Sequence, residues 1–162
     1  MATQLRKSPP VCLWISISRL ILGKLRLSQK YVGQAVKMED GQEYLIFRHI
    51  TAFTRNGSET VTIFIVRFKF ARLTHTANKI VSLIPMLLIT GFPGFNTKIY
   101  AVNNETGYWQ GLYQWESKQA LEEYKKSFVF RMMNKWAILN SLSFIEIFNQ
   151  QLTYFLKTTS SS

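Results

Sequence analysis

The chain is short of the residues that most often carry chemistry. In 162 residues it has one cysteine (Cys12), one aspartate (Asp40) and two histidines (His49 and His75). A single cysteine excludes an internal disulfide, and a thiolate zinc site needs more than one. The histidines stand far apart, and neither has neighbours at metal-ligand spacing, so both read first as structural residues. Asp40 falls in a turn, which disfavours a carboxylate metal site. No G-x-G-x-x-G, Walker loop, G-x-S-x-G elbow or H-E-x-x-H occurs. The sequence therefore asks for no metal and no cofactor. No uncharged apolar run reaches the roughly 18–20 residues that a membrane-spanning helix needs.

Acidic residues are also scarce. Nine Asp and Glu stand against twenty Lys and Arg, for a net charge of +11. Such a balance raises nucleic acid as a partner, but the distribution argues against it. Arg6, Lys7, Arg19, Lys24, Arg26, Lys30 and Lys37 all precede the first acid, Glu39. The excess belongs largely to an N-terminal arm.

Aromatic residues are abundant: twelve Phe, seven Tyr and four Trp. A chain this aromatic often lines a cavity or an interface. Its length suits one domain with an extension, or a small domain that gains core by dimerising.

Three parts are expected: a basic arm and β-hairpin over 1–58, a main domain over 59–150, and a polar, disordered tail over 151–162. In the arm, residues 1–10 read as flexible. Helical spacing between Val11 and Leu27 puts Leu13, Ile17, Leu20, Ile21 and Leu25 on one face, flanked by Trp14, with Arg19, Arg26 and Lys30 on the other. Three readings stay open for this helix: docking on the domain, contact with an anionic membrane through residues 11–30, or a targeting segment that lacks a secretory cleavage pattern. The location read from this is cytoplasmic, with peripheral membrane contact. Residues 31–37 and 43–50 read as strands around the Asp40-Gly41 turn. The polar loop 51–59, with Asn56-Gly57, marks the boundary.

From Thr60 the pattern sharpens. Residues 60–70 form a β-branched and aromatic strand. Residues 74–88 form a helix that Pro85 kinks or ends, with Thr74 or Thr76 as its cap. Strands over 95–102 and 108–115 flank the loop Asn103–Gly107. A helix capped by Ser117 runs to about Lys135, with Ala120, Leu121, Tyr124, Phe128, Arg131 or Met132, and Trp136 as its core stripe. A last strand follows over 142–148. The order is β-α-β-β-α-β, a ferredoxin-like α+β unit with an antiparallel sheet. Helices cover one sheet face. The other is left apolar and calls for a partner, most simply a second copy.

The strand Phe64-Ile65-Val66-Arg67-Phe68 carries a resemblance, together with the turn Pro93-Gly94-Phe95 before Lys98 and Tyr100. So does Gly111-Leu112-Tyr113-Gln114-Trp115-Glu116-Ser117, running into Ala120 and Tyr124. Over about residues 60–150 the chain resembles the antibiotic-biosynthesis-monooxygenase-like proteins of the dimeric α+β barrel superfamily. The resemblance implies a homodimer with a cavity in each barrel. It also implies a function seen in some members: oxidation of a phenol or quinol by molecular oxygen without a cofactor. Others of the family degrade haem, and many have no assigned activity. A non-catalytic small-molecule-binding or membrane-peripheral module is the alternative. No catalytic motif of the family maps here residue by residue.

Candidate site residues follow from chemistry. His75, at a strand-to-helix junction, suits general-base work. Arg67, in an apolar strand, needs a partner or an anionic ligand. Tyr113, Trp115 and Trp109 share one strand face and read either as a ring-binding wall or as core under the helices. Arg131 lies beside the helical stripe, within reach of Glu146 or a ligand. The enzymatic reading requires an enclosed cavity of roughly 300 Å³ or more that holds Arg67 or His75.

Overall fold

A computed structural model describes residues 8–38, 40–53, 61–70, 75–152 and 156. Arg6 and Lys7 of the arm, the Asn56-Gly57 turn, Thr74 as a cap and residues 157–162 of the tail lie outside the described residues.

The βαββαβ unit is present. Strand β4 (Thr62–Phe68) leads into helices α2 (His75–Val81) and α3 (Leu83–Thr90). The hairpin β5 (Phe95–Val102) and β6 (Trp109–Trp115) follows, then α4 (Lys118–Lys125), α5 (Phe128–Trp136) and β7 (Ser143–Phe148). These four strands lie in the order β5-β6-β4-β7 and all pair antiparallel. Gly107, at φ 73°, closes the hairpin loop in the left-handed region that glycine adopts without strain.

The N-terminal residues extend this sheet. Strand β3 (Glu43–Ala52) pairs with β5, and its other edge takes β1 (Leu25–Ser28) and β2 (Ala35–Lys37). The described residues thus form one antiparallel sheet of seven strands.

Two helices break where the sequence reads one. The break between α2 and α3 falls at Ser82, ahead of Pro85. A proline ring clashes with the carbonyl four residues earlier, here that of Val81. Inside the first turn of a new helix its missing N–H costs nothing. The second break falls at Ser127, whose Oγ accepts from Phe130 N at 3.2 Å, as Ser117 Oγ accepts from Ala120 N. The new cap resets the phase. Ala120, Leu121 and Tyr124 are buried as expected, but the stripe continues through Val129, Phe130 and Met133. Phe128 is half exposed and Arg131 exposed.

The sheet has a core on each face. Under the helices lie Phe64, Val66, Tyr113, Trp115 and Tyr124. The opposite face carries Tyr44, Ile46, Ile63, Ile65, Ile99 and Leu112. The sequence leads one to expect this face bare, but it is covered in part, because Leu152 and Leu156 from beyond β7 pack into it and are themselves buried. The stretch read as polar tail therefore contributes to the core.

Helix α1 (Pro9–Ile21) ends six residues before the expected end. Gly23, at φ 66°, turns the chain into β1, where Leu25 is buried against the sheet rather than on a helix.

Candidate functional site

The site lies on the sheet face away from the helices, where β1, β3 and β5 run side by side. Alternation along β3 puts Tyr44 and Ile46 on this face, yet His49 and Thr51 share it. A bulge between Ile46 and Arg48 shifts the parity by one. His49 then pairs with Ile99 and Ser28, and Thr51 with Thr97.

These residues border a cavity of about 450 Å³. Its wall combines Tyr31, Phe53 and Ile99 with the polar groups of His49, Thr51, Thr97, Asn96 and Gln114. Arg26 and Lys30 supply its charge, and no carboxylate lines it. Lys30 Nζ lies 5.1 Å from the Tyr31 ring centre and the Arg26 guanidinium 4.9 Å from that of Phe53. The Tyr31 and His49 rings stand 5.4 Å apart.

His49 is connected to two hydroxyls. Its Nε2 lies 3.1 Å from both Thr51 Oγ1 and Thr97 Oγ1, which are 3.0 Å from each other. Thr97 donates to the Ile50 carbonyl at 2.8 Å, so its remaining capacity is to accept. His49 Nδ1 and Asn96 Oδ1 are buried and have no hydrogen-bond partner among the described residues. Burial, and then the charge of Lys30, lower the His49 pKa from its ordinary value. The imidazole is therefore neutral at pH 7 and a weaker base than a free histidine. The cavity can hold an anion between its cations and a flat apolar ring against Tyr31 and Ile99.

The expected site residues are divided between the two faces. Arg67 lies on the cavity's side of the sheet but outside the cavity wall, so the cavity has the expected size but is open to solvent and lacks the arginine that the sequence reading required of it. It is ion-paired with Asp40, donates to Gln110 Oε1 at 3.2 Å and stacks 4.9 Å from the centre of the Tyr44 ring. Tyr113, Trp115 and Trp109 lie on the opposite face, fully buried under the helices. Trp115 stacks on Tyr124 at 4.7 Å, and the Tyr113 hydroxyl lies 3.5 Å from Met133 Sδ. Arg131 Nη1 donates to the Lys126 carbonyl at 3.5 Å, while Glu146, its expected partner, pairs with Lys125 at 2.6 Å. His75 opens α2, and its side chain lies outside the described residues.

Under the helices one feature went unread in the sequence. Lys98 is buried there with its Nζ 4.0 Å from the Tyr100 ring and 4.3 Å from the Tyr113 ring. Its pKa is pushed well down, first by burial and then by Arg48. The Tyr100 hydroxyl and Trp115 Nε1, in the same core, have no partner among the described residues. Among the described residues no three His, Cys, Asp or Glu side chains gather as metal ligands.

No protein-family model matches the chain, and no curated protein matches its sequence. Solved structures of similar fold do. One is an uncharacterised ferredoxin-fold protein related to antibiotic biosynthesis monooxygenases from Listeria monocytogenes. It is 12% identical at a TM-score of 0.53, over 84% of this chain and 88% of that one. Another is a monooxygenase-like protein from Listeria innocua, 12% identical at a TM-score of 0.52, over 84% of this chain and 85% of that one. At this identity the likeness establishes the fold. It is the fold that the sequence resemblance implied, and it extends beyond residues 60–150.

Proposed function

We propose that the chain binds a small acidic aromatic molecule, a phenol or a related hydroxylated ring, in the cavity beside His49. We further propose that it is a monooxygenase-like protein, and that binding serves oxidation of the ring by molecular oxygen without a cofactor. The observation that carries the reading is a histidine bonded to two threonine hydroxyls at the wall of a cavity that has two cations and no carboxylate.

The residues suit the first part of such a reaction. A bound phenol can pass its proton to His49 through the Thr51 hydroxyl, which donates to Nε2 as it accepts from the phenol. Arg26 and Lys30 then stabilise the phenolate by charge, while Tyr31 and Ile99 hold the ring. A phenolate is electron-rich enough to reduce oxygen itself: one oxygen atom enters the ring, the other leaves as water, and the ring supplies all four electrons as it becomes a quinone, so the protein's work is to bind and deprotonate. The exposed edge of β7, with Phe144, Ile145 and Phe148 about half exposed, is the surface that suits the homodimer implied by the resemblance.

Two measurements test this with 1-naphthol, whose fluorescence reports binding. The expected results are saturable binding to the wild type, about tenfold weaker binding to His49→Ala, and oxygen uptake that the substitution abolishes. Binding without uptake leaves the non-catalytic binding module and removes the oxidative step. Equal affinity for wild type and variant removes the cavity as the site.

A further inference from the structure

We propose that helix α1 seats the protein on an anionic membrane surface through an apolar face that the fold turns outward. The helix is inverted relative to an ordinary surface helix. Its polar residues point into the domain: Ser16 donates to the Leu87 carbonyl and lies 2.9 Å from Thr90 Oγ1, and Arg19 Nη1 donates to the Thr90 carbonyl at 2.5 Å. Cys12, on the same side, packs so tightly on the end of α3 that a Cβ on Gly91 would stand 1.8 Å from its carbonyl oxygen.

With that side fixed, the helical period places Leu20, Leu13, Ile17, Ile21 and Trp14 on one outward arc of about 120°. Trp14 is 72% exposed and Ile21 80%, and Leu22, just past the helix, is also exposed. No charge interrupts the arc, because Arg19 is drawn inward. Turning these residues to the inside would have cost nothing in helix formation. Their outward placement therefore leaves an apolar surface that an apolar phase would cover.

Charge decides between the occupants. Arg6 and Lys7 precede the helix in sequence and Lys24 follows it, with no acid before Glu39. A second copy docked through the same helix would bring a like-charged arm against this face, with no acid in its first thirty-eight residues to meet the charge. An anionic lipid surface supplies both the apolar phase and the opposite charge. Trp14 has the amphipathic ring that settles at the headgroup boundary. Among the described residues no helix is long and apolar enough to cross a membrane, so the helix lies in the interface.

The test is flotation of the full chain with vesicles of phosphatidylcholine alone or of phosphatidylcholine and phosphatidylserine at three to one. The expected result is recovery with the anionic vesicles at least about tenfold above the neutral ones, falling as salt is raised. Trp14→Ser/Ile21→Ser changes only exposed positions, and circular dichroism confirms that it remains folded. It should lose about tenfold or more of the partition. Three results would overturn the proposal. The wild type fails to float with anionic vesicles, the double variant floats equally well, or light scattering finds a wild-type dimer that the double variant breaks.

Discussion

His49 and Thr97 meet across neighbouring strands, with Nε2 3.1 Å from Oγ1, and Thr51 closes the triangle from two residues along β3. The contact depends on a bulge, since without the parity shift between Ile46 and Arg48 the imidazole would face the helices. It places a buried, neutral base at the wall of a cavity whose formal charges are all positive.

The lowered pKa of His49 has a consequence for stability. Its folded value lies below the unfolded one, so the unfolded chain binds more protons in the window between them. The contribution is present above the ordinary histidine value of 6.5 and is lost as pH falls through that window. The thermal midpoint should drop between pH 7.5 and pH 5, by about 2–4 °C for each kcal/mol lost. His49→Gln should flatten the curve. An unchanged slope in that variant would assign the drop to other groups.

Lys98 makes a prediction of the opposite kind to most core substitutions. Its amine is buried between two rings, no carboxylate pairs with it among the described residues, and burial disfavours its charge. Lys98→Met keeps the stem and removes the polar head. Urea unfolding at pH 7 should show the variant as stable as the wild type or more stable, by about 1–3 kcal/mol. A loss of that size would mean that the amine has a favourable role in the folded chain.

Gly91 is where α1 and α3 touch. Its backbone lies in the ordinary helical region at φ −84°, so the constraint is space and not conformation. Gly91→Ala must push the Cys12 carbonyl away, at a cost of about 1–3 kcal/mol. Urea unfolding measures the cost, and limited proteolysis should then release α1 first. A silent substitution would show that the helix is loosely docked.

What the sequence made legible was local. The β-branched run of β4, the Asn103–Gly107 loop and the Ser117 cap each carry their own signal, and together they dictate the βαββαβ order. The rest depends on distant partners. Ser127 resets a helical stripe that looks continuous when only spacing is counted. Helix α1 has the apolar period that its sequence announces, but which side faces the domain is decided by Leu87 and Thr90, about seventy residues away. The site was the least legible part. Tyr113 and Trp115 share a parity that Arg67 does not, so they could not form one pocket with it on the same sheet. His49 reached the cavity through a bulge that no residue in EYLIFRHITA marks.

A crystal structure of the chain with bound 1-naphthol decides on which sheet face the ligand sits. The ring should lie against Tyr31 and Ile99, with its hydroxyl within hydrogen-bond reach of Thr51 or His49 and near Arg26. A ring lodged under the helices against Lys98 and Tyr113 would contradict that placement.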